Sequence, residues 1–157
     1  LTFCLAIHMV VGIHMVINDF LLPYSSGKET AQYIHDKGWE DLPIFATRDV
    51  EVVTVSGYLD REFYFPELNG FGSYAKWNNR IEVDRSKALD EVKVYLNKFP
   101  KVDKLLLLLS NRSSIKNLEP GESINFDEFR VMADSKFENS FHDSERFYLY
   151  WVERIID

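Results

Sequence analysis

One cysteine in 157 residues, Cys4, excludes an internal disulfide. Glycine and proline are sparse, at 7 and 5 residues, so neither a collagen-like repeat nor a low-complexity linker is present. Positive charge is outnumbered: 18 Lys and Arg stand against 25 Asp and Glu, a formal net charge of −7. The cations are also scattered, so the chain lacks the basic footprint that nucleic acid requires, and no nucleic-acid partner is expected. No Gly-x-Ser-x-Gly elbow occurs. Residues 1–18, LTFCLAIHMVVGIHMVIN, lack any Asp, Glu, Lys or Arg.

That last absence carries the most information. At about 1.5 Å per residue, a helix of this length spans about 27 Å, close to the hydrocarbon core of a bilayer. A secretory signal would carry a cationic start and a small-residue cleavage site, and neither is found. The sequence therefore predicts two parts: residues 1–18 as the end of a transmembrane helix, and 19–157 as an α/β domain outside the bilayer. Asp19 is the first charge and Lys28 the first cation. A cytoplasmic flank concentrates Lys and Arg near the helix end, so the domain is expected on the extracytoplasmic, periplasmic side of a membrane. Within the apolar lead, Cys4, His8, Met9, His14 and Met15 are residue types that bind copper. Cys4 and His8 share a helical face, but His14 lies about 240° around from His8, so the set does not converge.

What remains is rich in apolar residues: 46% of the chain is hydrophobic and 15% aromatic, enough for one packed core. Ser26 with Glu29 three residues later fits a capping box for a helix over 26–37, which Gly38 would end. Leu42–Thr47 follows as a short buried strand. Residues 49–60 combine strand and helix signals; Asp49 as an N-cap favours a helix. Glu62–Phe65 is the next strand, closed by Pro66. Residues 67–82 form a Gly- and Asn-rich loop, and a second helix spans 85–99, capped by Asp84 or Ser86. Leu105–Leu109 is five leucines in a row, a central strand buried on both faces. The end of the chain holds short strand segments, with Phe147–Val152 as a late edge strand. Alternating helix and strand patterns predict an α/β fold with a small, mostly parallel sheet flanked by helices.

Few residues are arranged for chemistry. Ser25-Ser26-Gly27-Lys28-Glu29-Thr30 echoes part of a phosphate loop, but Leu22 stands where the first glycine belongs and Glu29 replaces the hydroxyl residue. His142-Asp143-Ser144 holds the residue types of a triad as sequence neighbours, which cannot face one another in that role; a polar turn is the better description. No catalytic, cofactor-binding or metal-binding residue is assigned, and no cofactor is implied. The loop with Tyr74, Trp77, Asn78, Asn79 and Arg80 is the one surface that combines stacking faces with hydrogen-bond donors. In α/β sheets ligands sit beyond the carboxyl ends of strands, so this loop, with Asp49 and Tyr58, forms the expected ligand surface.

An apolar helix running into IHMVINDFLLPYSSGKETAQYI, then DVEVVTVSGYLDREFYFPEL and a terminal ERFYLYWVERI, resembles the C-terminal end of polytopic bacterial membrane proteins. These are of the dolichyl-phosphate-mannose-protein mannosyltransferase type, glycosyltransferase family 39 in the broad sense. The resemblance implies a membrane protein that uses a polyprenyl-phosphate sugar donor. Its catalytic acids would lie in an early outer loop that has no counterpart here. This chain would then be an accessory domain facing a glycan, a lipid-linked sugar or an acceptor. A second function class is a non-enzymatic extracytoplasmic binding or interaction domain of a membrane protein; a third, a soluble enzyme in its own right, lacks a convergent acid, base or nucleophile set.

Overall fold

The computed structural model describes residues 2–78, 80–115 and 117–155. Helix α1 (Thr2–Leu21) is followed by α2 (Gly27–Asp36), β1 (Ile44–Ala46), α3 (Asp49–Leu59), β2 (Phe63–Phe65) and β3 (Gly70–Gly72). Then come α4 (Ala88–Lys98), β4 (Lys104–Ser110), β5 (Ser123–Phe126), β6 (Phe129–Phe137) and β7 (Phe147–Arg154). All seven strands form one sheet in the order β3-β2-β1-β4-β7-β6-β5.

The α/β class is as the sequence predicts, but the sheet is mixed rather than mostly parallel. Only β1–β2 and β1–β4 pair in parallel; β2–β3, β4–β7, β5–β6 and β6–β7 are antiparallel. The reason lies in the connections. A parallel neighbour requires a crossover of a dozen or more residues, usually a helix, and no α-helix follows β4 among the described residues. The tail can therefore only fold back on itself. Asp127, at φ 50°, makes the tight turn of the β5–β6 hairpin. β7 is not the edge strand that its alternation suggested: it lies between β4 and β6, and Phe147, Leu149, Tyr150 and Val152 are all buried.

Helices cover both faces. Leu105, Leu107 and Leu109 point to one side with Val92, Tyr95 and Leu96 of α4. Leu106 and Leu108 point to the other, against Ala31 and Ile34 of α2 and Val52 and Val55 of α3. Side chains alternate across a strand, so only an unbroken apolar run can feed two cores at once. That is why five consecutive leucines occur here.

The apolar lead does form a helix, and its apolar side chains stand free of the domain. Phe3, Leu5 and Val11, which point in three different directions around the axis, are 78%, 62% and 54% exposed. Two of its polar side chains bond its own backbone: His8 Nδ1 pairs with the Cys4 carbonyl at 2.8 Å, and Asn18 donates to the His14 carbonyl at 2.9 Å. Against the expectation of a transmembrane span, no helix among the described residues is long and apolar enough to cross a membrane.

The joint between α1 and the domain is well fixed. Pro23 and Tyr24 carbonyls accept from the Phe141 and His142 backbone N–H groups, and Ser140 Oγ donates to the Tyr24 carbonyl at 2.7 Å. Ser26 stands at the N-cap of α2, as its sequence position suggested, but its side chain makes no capping bond; its one hydroxyl proton is shared between the Phe137 and Glu145 carbonyls, both at 2.8 Å. Gly27 is required by close packing: a Cβ there would lie 2.7 Å from Thr54 Oγ1. The Ser-Ser-Gly-Lys stretch thus serves as a clasp between α1, α2 and the β6–β7 loop. Ser26→Ala removes this shared, buried hydrogen bond and is expected to cost about 1–3 kcal/mol, read as a lowered midpoint in urea unfolding.

Candidate functional site

Strands β1, β2 and β4 end at the same side of the sheet. β1 hands on to Thr47-Arg48-Asp49, β2 to Pro66-Glu67, and β4 to Asn111-Arg112-Ser113. From β1 the chain crosses to β2 through α3 on one face. It reaches β4, on the other side of β1, through α4 on the opposite face. The winding reverses between β1 and β4, and in α/β sheets the crevice at such a reversal is where ligands bind.

Buried carboxylates meet arginines at this place. Asp49 is fully buried and Glu51 and Glu67 nearly so, at 5% exposure each. Arg80 Nη2 pairs with Asp49 Oδ1 at 2.5 Å, and the Val50 N–H donates to the same oxygen at 2.9 Å. Arg48 grips Glu51 Oε1 through Nη2 at 2.6 Å and Nε at 3.1 Å, while Arg112 Nη1 lies 3.8 Å from that oxygen. The Arg48 backbone N–H donates to Glu67 Oε1 at 2.5 Å. Arg48 itself sits at φ 65°, a left-handed conformation that costs a non-glycine residue of order 1 kcal/mol or more. Its side chain and its backbone are both held by acids, which maintains that conformation. Across the reversal, Thr47 Oγ1 donates to Ser113 Oγ at 3.1 Å.

The network is short of donors. Asp49 Oδ2, Glu51 Oε2 and Glu67 Oε2 are buried with no hydrogen-bond partner among the described residues. Between the ends of β1 and β2, beside Glu67, opens a cleft of about 360 Å³, lined in part by Arg48, Glu67, Trp77 and Arg80; among the described residues Asp49, Glu51 and the residues after β4 do not line it. Trp77 is 79% exposed at its rim, and the Arg80 guanidinium carbon lies 5.8 Å from the centre of its ring. Burial holds the Glu67 carboxyl above its usual range, partly offset by the Arg48 N–H. Burial likewise raises that of Glu145, which the Glu51 charge pushes further.

Raised carboxyls have a definite effect on stability. The folded state holds these protons more tightly than the unfolded chain, so stability falls as pH rises from the ordinary carboxylate range, near 4, through the folded values. Glu67→Gln, which keeps an acceptor for the Arg48 N–H, is therefore expected to raise the melting temperature at pH 7 and to leave it little changed at pH 4. Calorimetry at the two pH values checks this.

The residues singled out from the sequence divide. Trp77 and Arg80 come together at the cleft, with Asp49 buried behind Arg80 and outside the cleft lining, and Asn78 exposed next to Trp77. Asn79 lies outside the described residues. Tyr58 is in the last turn of α3, at the opposite end of the strands. Tyr74 is also away from the cleft. The sequence placed the long loop directly after β2, but β3 intervenes and runs antiparallel, with Gly72 beside Phe63. The loop therefore starts at the amino end of β2 and climbs back, reaching the cleft where the Ile81 N–H bonds the Glu67 carbonyl at 2.9 Å.

Arg48, Glu51, Glu67 and Arg112 were not anticipated. The available signal was positional: each stands within five residues after a strand that ends at the reversal. In the His142-Asp143-Ser144 turn, Ser144 Oγ and His142 Nδ1 are 2.7 Å apart, but Asp143 pairs with Arg146 at 2.9 Å rather than with the imidazole. Compared with known protein families, curated proteins and solved structures, the chain matches none.

Proposed function

We propose that this chain is a membrane-attached, non-catalytic binding domain, the accessory part of a glycosyltransferase-like membrane protein that uses a polyprenyl-phosphate sugar donor. In this reading α1 is seated in lipid and the domain lies on the extracytoplasmic side. The cleft at the carboxyl end of β1 and β2 holds a sugar: a glycan, a lipid-linked sugar or an acceptor.

One observation carries the reading. Large apolar side chains stand exposed in several directions around α1 and favour apolar surroundings, and α1 contributes none of them to the domain's core. Its joint, Pro23–Ser26, docks on the loop after β6, and β6 runs parallel to β4 because each pairs antiparallel with β7. The helix therefore leaves from the end of the sheet that carries the cleft. A ligand held at or near a membrane surface would meet that end first. Trp77 supplies a stacking face and the surrounding carboxylates and guanidiniums supply polar contacts, the combination that suits a sugar ring.

Vesicle flotation tests the attachment. The full chain is expected to rise with liposomes, and the double variant Val10→Asp, Ile13→Lys to remain in the dense fraction. A charge at the centre of a lipid-seated helix costs about 3 kcal/mol. Both variants sit on a helix that touches no core, so their folding is expected to be unchanged. Flotation of the variant as well as the wild type would overturn the attachment.

A further inference from the structure

The donor shortage at the cleft restricts what it can hold. Arg48 is committed to Glu51 and Arg80 to Asp49. Glu67 has a backbone N–H on one oxygen and nothing on the other. Asp49 and Glu51 each have a further bare oxygen. Of these three carboxylates only Glu67 lines the cleft, and a phosphate or carboxylate ligand would set a further acceptor against its bare oxygen. A metal ion is no better served, since among the described residues no group of three or more His, Cys, Asp or Glu is placed to hold one. The missing element is a compact cation with several N–H donors.

We infer that the cleft binds a ligand presenting a primary ammonium group, with Glu67 as its counter-charge and Trp77 as the face against which the rest of the ligand lies. An ammonium carries three donors on a point charge, which matches a buried carboxylate with a bare oxygen. Glu67 lines the cleft and is more than nine-tenths buried, so a cation that reaches it exchanges water for a low-dielectric ion pair. Trp77 at the rim offers its ring to an alicyclic or sugar body, and its own π-face also favours cations. The inference rests on the binding-domain reading and adds the chemistry of the ligand: an amine, and among sugars an amino sugar, rather than a sugar phosphate.

Two matched pairs of probes test it on the full chain in lipid nanodiscs, with binding followed by NMR shifts of the Trp77 indole. They are glucosamine against glucose, and cyclohexylamine against cyclohexanol. Each amine is expected to bind at least about tenfold more tightly than its hydroxyl partner, the effect of about 1.4 kcal/mol. Glu67→Gln should remove that preference while the spectrum of the folded protein is retained. Trp77→Ala, a change at an exposed side chain, should weaken both members of each pair; here the neighbouring Ile81 amide serves as the reporter. If glucose binds as well as glucosamine, the ammonium inference is overturned and the sugar cleft stands. If both sugars fail while cyclohexylamine binds through Glu67, the sugar reading falls and the ammonium site stands. Equal binding of cyclohexylamine and cyclohexanol overturns the inference outright.

Discussion

Arg80→Ala is expected to destabilise the domain by about 3 kcal/mol, or roughly 10 °C in melting temperature for a chain of this size. The size of the effect follows from what it leaves behind. Asp49 is fully buried, and Arg80 is the only cation within bonding distance of it among the described residues. Its Oδ2 has no partner even in the intact protein. Removing the guanidinium leaves a buried carboxylate with a single backbone donor, and the penalty for an uncompensated buried charge far exceeds the worth of the pair itself. Asp49→Asn in the same background removes the charge, so the double variant should recover a large part of the loss. Such a cycle separates the stranded charge from lost packing. It also shows why Arg80 is a poor position for testing ligand binding: its loss would impair folding and binding together. Trp77 suits that purpose because it is exposed.

Leu107→Ala and Leu106→Ala are each expected to cost about 3–4 kcal/mol. Both side chains are fully buried, and they face opposite layers, Leu107 toward α4 and Leu106 toward α2 and α3. Neighbouring residues on an ordinary half-exposed strand would show one large and one small effect, because the outward side chain loses little. Equal losses are the mark of a strand sandwiched between two helical layers. Chemical denaturation of the two variants measures this, and a value below about 1 kcal/mol for either would deny that layer its place.

The layered core was legible because its signals are local and strong. The leucine run can only be a two-sided strand, and Gly38, at φ 67°, ends α2 where the sequence placed it. The helix over 49–60 is also present, but Asp49 is its first residue rather than its N-cap, a position that Arg48 takes. Strand direction was less legible. It depends on whether enough helix lies between strands to cross over, and after Ser110 no α-helix occurs among the described residues, so parallel pairing ends at β4. β3 escaped notice because Gly70-Phe71-Gly72 has the composition of a loop. That one missed strand reversed the assumed start of the 73–84 loop and put Tyr74 at the wrong end. The carboxylates of the site were hidden for a different reason. Glu51 and Glu67 look like surface charges in sequence, and only the packing of the strand ends buries them, with Arg48 half-buried against Glu51.

In the function proposed above, the cleft end of the sheet faces a membrane that seats α1. Paramagnetic relaxation from nitroxide-labelled lipid headgroups measures this directly on the full chain in nanodiscs. The account predicts strong broadening of the backbone amides of Arg48, Glu67 and Asn111, at the carboxyl ends of β1, β2 and β4. It predicts little for Lys37, Asp60 and Lys101, at the opposite ends. Broadening of the second set rather than the first, or of neither, would contradict it.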